Sequence, residues 1–196
     1  MRTIKGMLMG AVFASLAVLV AQAQTPDQAF RMVIDAFSDG GEIPVQFSQA
    51  APGAAPGEGD SPLINWENVP EGTRSFMLHM HDLDVAVNRS SETQVHWVVW
   101  NIPADETGLA EGLPRGAQLP NGASQVSATG MVYRGPGAPA SRPPHHYLFE
   151  LYALDAEELD VEPSDDAFAT RAEVLEAIEG RVLGKAVYMG RFSRPE

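Results

Sequence analysis

The chain has 196 residues, enough for one domain with a sizeable core. Its formal net charge of −13 repels phosphate backbones and argues against a nucleic-acid partner. It has no Cys, so its core must hold without disulfides, and no cysteine can carry a lipid.

The first 23 residues read as an export signal and not as part of the fold. Arg2 and Lys5 give a positive start, Met7 to Val20 is apolar and uncharged, and Ala21-Gln22-Ala23 offers small residues for cleavage. The apolar run is short for a membrane span. Cleavage is expected near Ala23, leaving one domain over residues 24–196 in the periplasm or outside the cell. Loss of Arg2 and Lys5 makes the chain more acidic still, which we read as a solubility feature.

Taken in order, Arg31 to Phe37 and Ile43 to Phe47 read as short strands, and Gln49 to Asp60, rich in Ala, Pro and Gly, as a loop. Arg74 to His81 sets Phe76, Leu78 and Met80 against Met77, His79 and His81, a strand pattern. Val95 to Ile102 is apolar in both registers, as a buried central strand should be. Asp105 to Gln125 is irregular, and Ser127 to Tyr133 is a further short strand. Tyr147 to Leu154 is the third long strand. Thr170-Arg171-Ala172-Glu173 has the form of a capping box, followed by the apolar stripe Val174, Leu175 and Ile178 and a stop at Gly180. Lys185 to Phe192 closes the chain as a strand. The sum is a mainly β, antiparallel domain with a late helix.

Polar groups gather at the ends of the apolar strands. Asp82 and Asp84 are two apart and point the same way in extended chain. His96 opens the central strand and needs a partner if buried. Gly135 and Gly137 permit close backbone approach, and His145 and Tyr147 share one face of the strand that follows, with His146 on the other. An imidazole and a phenol beside loop amides suit an oxyanion.

These segments together resemble the phosphatidylethanolamine-binding protein family, also called the Raf kinase inhibitor protein family, in its bacterial form. The likeness begins at Phe37-Ser38-Asp39-Gly40-Gly41-Glu42-Ile43-Pro44 and runs through Ser61 to Trp66 and Val69 to Phe76. The family's Asp-Pro-Asp segment corresponds to Asp82-Leu83-Asp84, its His-Trp strand to His96-Trp97, its Gly-x-Gly-Pro-Pro loop to Gly135–Pro139 and its His-Arg-Tyr strand to His145-His146-Tyr147. The resemblance implies a large antiparallel sheet on a smaller one, with a helix near the C-terminus. It also implies a pocket for phosphate, phosphorylethanolamine or phospholipid head groups, formed by Asp82, Asp84, His96, Gly135, Gly137, His145 and Tyr147. In it, amides and imidazoles would hold the anion, and the acids would orient the imidazoles or meet an ammonium. Some members also modulate a partner protein. Here Leu83 and Ala138 stand where the family has Pro, Val85-Ala86 replace Ala-Pro, and His146 replaces Arg. The two lost prolines suggest looser pocket walls, and the lost Arg removes a permanent cation.

Two other functions are open to these residues. His79 and His81, with His96 or an Asp, could bind Zn²⁺ or Cu²⁺. A His–Asp pair could serve a hydrolase, but no Gly-x-Ser-x-Gly elbow is present and Ser141 has no evident base. The chain is therefore expected to be a binding protein and not an enzyme, without a resident metal or cofactor.

Overall fold

The computed structural model describes residues 28–196, so the expected export signal and its cleavage point lie outside the described residues. Side chains alternate across an extended chain, so a strand apolar in both registers must be covered on both faces. Strands β4 (Ser75–Asp82) and β5 (Gln94–Pro103) meet that demand and sit inside a six-stranded sheet. Strand β8 (His145–Leu154) flanks β4, and β9 (Val182–Phe192) flanks β8. The edges are β2 (Gly41–Glu42) beside β9 and β7 (Ser124–Val126) beside β5. Every pairing in this sheet is antiparallel except β2 with β9, which is parallel, with Gly41 opposite Gly190.

The inner face of the large sheet carries Phe76, Leu78, Met80, Trp97 and Phe149, all fully buried. A second sheet of three short strands, β1 (Arg31–Val33), β3 (Ile64–Glu67) and β6 (Gly108–Leu109), covers it in the order β1-β3-β6. Trp66 of β3 lies 5.0 Å from the Phe76 ring and donates from Nε1 to the Glu106 carbonyl at 3.1 Å. Each such side chain, once buried, contributes about 1.5–3 kcal/mol. The outer face presents Met77, Val95, Val98 and Trp100, which helix α1 (Ala167–Ala177) covers through Val174 and, just past its end, Ile178.

Three local readings of the sequence need correction. The helix does not start at a Thr170 capping box: Asp166 is the cap, its Oδ1 accepting from the amides of Phe168 and Ala169 at 3.1 and 3.0 Å. A carboxylate suits the free amides and positive end of a helix better than a hydroxyl does. Thr170 is instead buried inside the first turn, sharing a hydrogen bond with Ser164. Ile43 to Phe47 is not a strand, because Pro44 has no amide for a ladder; Val45–Phe47 is a 3-10 turn closed by Ser48 Oγ on the Val45 carbonyl. Ser127 to Tyr133 is a tight turn, with Gly130 at φ +116° and Ser127 bonded to it. Gly180 does adopt the left-handed turn expected after the helix, at φ +73°. Among the described residues no helix is long and apolar enough to cross a membrane.

Candidate functional site

Asp82 ends β4 directly opposite Tyr147 of β8, two residues from where β8 begins at His145. That register brings His145 Nδ1 within 2.8 Å of Asp82 Oδ2, where the ring donates and the carboxylate accepts. The other oxygen, Oδ1, accepts from the Asp84 amide at 2.9 Å and closes the turn that leaves the strand. Asp82 is only 3% exposed, so its charge is held by these partners and little by water.

His96 reaches the same place through an irregularity. Met80 pairs with Trp97 and His81 with Val95, so His96 is the extra residue of a β-bulge. A bulge re-aims the side chain of the extra residue, and here it turns His96 toward Tyr147, whose ring it meets edge-on at 5.0 Å. The His96 ring lies 2.9 Å from the Arg134 carbonyl. A carbonyl can only accept, so Nδ1 carries the proton and Nε2 keeps its lone pair. Burial pulls the His96 pKa down to about 3, and the Arg134 carbonyl only partly offsets it. His96 is therefore a neutral acceptor, not the cation that an anion site would first suggest.

Tyr147 is buried, and burial together with the Asp82 charge pushes its phenol well above the ordinary value. Its oxygen accepts from the amides of Gly137 and Ala138, both at 3.2 Å. Asp82, His96, Gly137, His145 and Tyr147 thus line one cavity of about 200 Å³, together with Arg134 and Gln49. A larger hollow of about 380 Å³, between Glu42 and the C-terminal Arg191–Glu196 segment, contains no imidazole.

Five of the seven residues singled out in the sequence meet in this cavity, and two do not. Asp84 lies outside it, its Oδ2 accepting from the amide and Nδ1 of His146 at 2.6 and 3.0 Å. Partial burial opposes the Asp84 charge, but those two donors hold its carboxyl below its usual value. Gly135 does not line the cavity either. Its carbonyl takes the Gln49 Nε2 at 2.8 Å, and an added Cβ would come within 2.8 Å of the Glu58 carbonyl oxygen and the Ser48 carbonyl carbon. Gly135→Ala should therefore force the two loops apart and cost about 1–3 kcal/mol, read as a lower thermal midpoint.

The expected loosening of the pocket walls is also not what the structure shows. The Leu83 amide donates to the His146 carbonyl at 2.9 Å, and the Ala138 amide donates to Tyr147. A proline at either position would have no proton to give, so both replacements add a tether. Of the loop amides expected to hold an anion, that of Gly137 is already engaged with Tyr147, as is that of its neighbour Ala138. Arg134 went unnoticed in the sequence, although it directly precedes Gly135. It places a permanent cation beside the cavity, and its buried Nε has no hydrogen-bond partner among the described residues, while Nη1 donates to Thr129 Oγ1 at 2.5 Å.

The grouping of His79 and His81 with His96 does not form. The bulge sends His96 to one face of the sheet, while His79 and His81 face the other, where they meet Glu150.

The phosphatidylethanolamine-binding protein family model matches residues 33–193. A UPF0098 protein of Methanothermobacter thermautotrophicus is 40% identical over 161 residues, covering 81% of this chain and 95% of its own. Two solved structures share the fold at a TM-score of 0.69. One is a phosphatidylethanolamine-binding protein homologue of Chlamydia trachomatis, 30% identical over 86% of this chain and 99% of its own. The other is Escherichia coli YbcL, described as a member of the mammalian family, 28% identical over 85% of this chain and 99% of its own. The two-sheet architecture, the strand-end cavity and these matches have one reading: the chain belongs to the phosphatidylethanolamine-binding protein family.

Proposed function

We propose that the cavity binds a small phosphate-bearing polar group of the phosphorylethanolamine type, free or as a phospholipid head group. The observation that carries this reading is the meeting of unlike groups in about 200 Å³: the Asp82–His145 pair, the neutral His96 and the Tyr147 phenol, with Arg134 alongside. A zwitterion with a phosphate and an ammonium uses both kinds. Arg134 and the outer nitrogen of His145 suit the phosphate, while Asp82 and the His96 lone pair suit the ammonium. The description of the family by phosphatidylethanolamine binding supports the same ligand class. The export signal expected from the sequence would put this binding outside the cytoplasm.

Calorimetric titration with phosphorylethanolamine, inorganic phosphate and ethanolamine, each alone, tests the reading. Phosphorylethanolamine is expected to bind at least about tenfold more tightly than either half, because one charged hydrogen bond is worth about that factor. Equal affinity for all three, or none at millimolar concentration, would refute it. Vesicles with phosphatidylethanolamine, set against vesicles of phosphatidylcholine, separate the lipid from the free head group.

A further inference from the structure

β4 carries chemistry on both faces. On the face away from the cavity, His79 and His81 stand two apart, and Glu150 of β8 lies directly opposite His79. Alternation along the strand and the register across it force these side chains together. The two imidazoles are stacked, 4.2 Å between centres and 18° from parallel. Glu150 Oε2 lies 3.5 Å from His79 Nδ1 and 3.4 Å from His81 Nε2. Neither contact is a formed hydrogen bond: both ring nitrogens of His79, and Nε2 of His81, are buried without a hydrogen-bond partner among the described residues. Two imidazoles with unpartnered nitrogens, both close to one carboxylate oxygen, call for an occupant.

The spacing indicates what the occupant is. Bonds of about 2.0–2.1 Å directed tetrahedrally place ligand atoms about 3.3 Å apart, the arrangement zinc adopts with nitrogen and oxygen donors. The two nitrogen–oxygen separations are 3.4 and 3.5 Å, and the three ligand atoms all lie within 4.8 Å of one another.

The surroundings prepare these atoms as ligands. Thr93 Oγ1 lies 2.7 Å from His81 Nδ1, so this nitrogen can carry the proton and leave the Nε2 lone pair toward Glu150. Lys185 engages Glu150 Oε1 and leaves Oε2 free for the imidazoles. The other ionisable groups around the cluster are Tyr152 on β8 and, from the helix side, Arg171, itself bound to Glu92 and the Thr93 carbonyl. His81 and Glu150 are 12% and 13% exposed at the side chain, which leaves an approach from solvent.

We infer that His79, His81 and Glu150 form a binding site for a divalent first-row transition ion, with Zn²⁺ the best fit and a fourth position open to water. Glu150 replaces His96 as the third donor, and the site is separate from the phosphate-binding cavity.

The full chain, stripped with a chelator and dialysed, is titrated with Zn²⁺ alone against a chromophoric chelator, and with Co²⁺ for visible absorption. One ion per chain is expected, with a Kd of about 1 μM or lower and Co²⁺ bands of tetrahedral intensity. His81→Asn and Glu150→Gln should each weaken Zn²⁺ binding by at least about 100-fold, whereas His146→Asn, which alters an imidazole outside the cluster, should leave it unchanged. Zn²⁺ should also raise the thermal midpoint of the parent and of His146→Asn, and of neither cluster variant. No binding by the parent at about 100 μM Zn²⁺ would overturn the inference. So would binding that survives both cluster variants or disappears in His146→Asn. Should one cluster variant fail to fold, the other and the parent titration still decide it.

Discussion

Asp82→Ala is expected to weaken phosphorylethanolamine binding by about 10- to 100-fold, the yield of one or two lost hydrogen bonds to a charged group. The change removes the acceptor that orients His145, the acceptor that closes the turn to Asp84, and the negative charge beside Tyr147. His145 would then be free to turn its ring, and an ammonium would lose its counter-ion. Asp82→Asn separates these effects. The amide oxygen can still accept from His145, so the ring stays oriented while the charge is gone. If orientation matters most, the Asn variant binds much better than the Ala variant; if charge matters most, the two bind alike. Calorimetry on both reads the outcome, with circular dichroism to confirm folding. A Kd for Asp82→Ala within about threefold of the parent would remove Asp82 from the site, because less than 1 kcal/mol would be at stake.

Acid should destabilise the fold through His96, with a sign and window set by its burial. The unfolded imidazole takes up a proton near pH 6.5, while the folded one resists until about 3. Between these values the unfolded state binds the extra proton, so stability rises with pH. The contribution is complete above about pH 7 and lost progressively as pH falls toward about 3. By pH 4.5 the loss from this one residue amounts to about 2–3 kcal/mol, a sizeable part of the stability of a typical domain. Many carboxylates titrate below that point, so the measurement is a difference. His96→Asn keeps a donor for the Arg134 carbonyl and has no titrating group. Its stability deficit against the parent, from urea unfolding at several pH values, should shrink by about 2–3 kcal/mol between pH 7 and 4.5. Parallel pH profiles would show that His96 is not buried as a neutral ring.

The parts of the fold that could be read in advance are those where one face pattern runs for eight or more residues. Arg74 to His81, Val95 to Ile102 and Tyr147 to Leu154 became β4, β5 and β8 within a few residues at each end, because burial on both sides leaves a mark in every register. Strands of two to four residues leave no period. Ile64–Glu67 was legible only as part of a family motif, and Gly41–Glu42 and Gly108–Leu109 take their form from their neighbours. At the site, residue types were legible and their partners were not. That His145 belongs with Asp82 follows from a strand register, and no spacing in the chain encodes it. The bulge that turns His96 is equally invisible in an apolar run, and grouping His96 with His79 and His81 assumed an unbroken strand. Glu150 did leave a signal: it is the one acid within Tyr147 to Leu154, and such a residue is tolerated in a half-buried strand only beside partners. Arg134 gave a similar hint as a lone cation ahead of a glycine-rich loop.

His81 and Asp82 are chain neighbours that serve opposite sides of the same strand. One peptide unit is all that separates the two chemistries, and the pleat assigns each to its side. Deleting a single residue upstream in β4 would not trim either locus by degrees. It would exchange them, turning the His81 imidazole inward opposite Phe149 and the Asp82 carboxylate outward to the side of Glu150, with Leu83 left opposite Tyr147. The strand therefore has far less freedom to change its length than the loops around it, and the constraint comes from parity and not from packing alone.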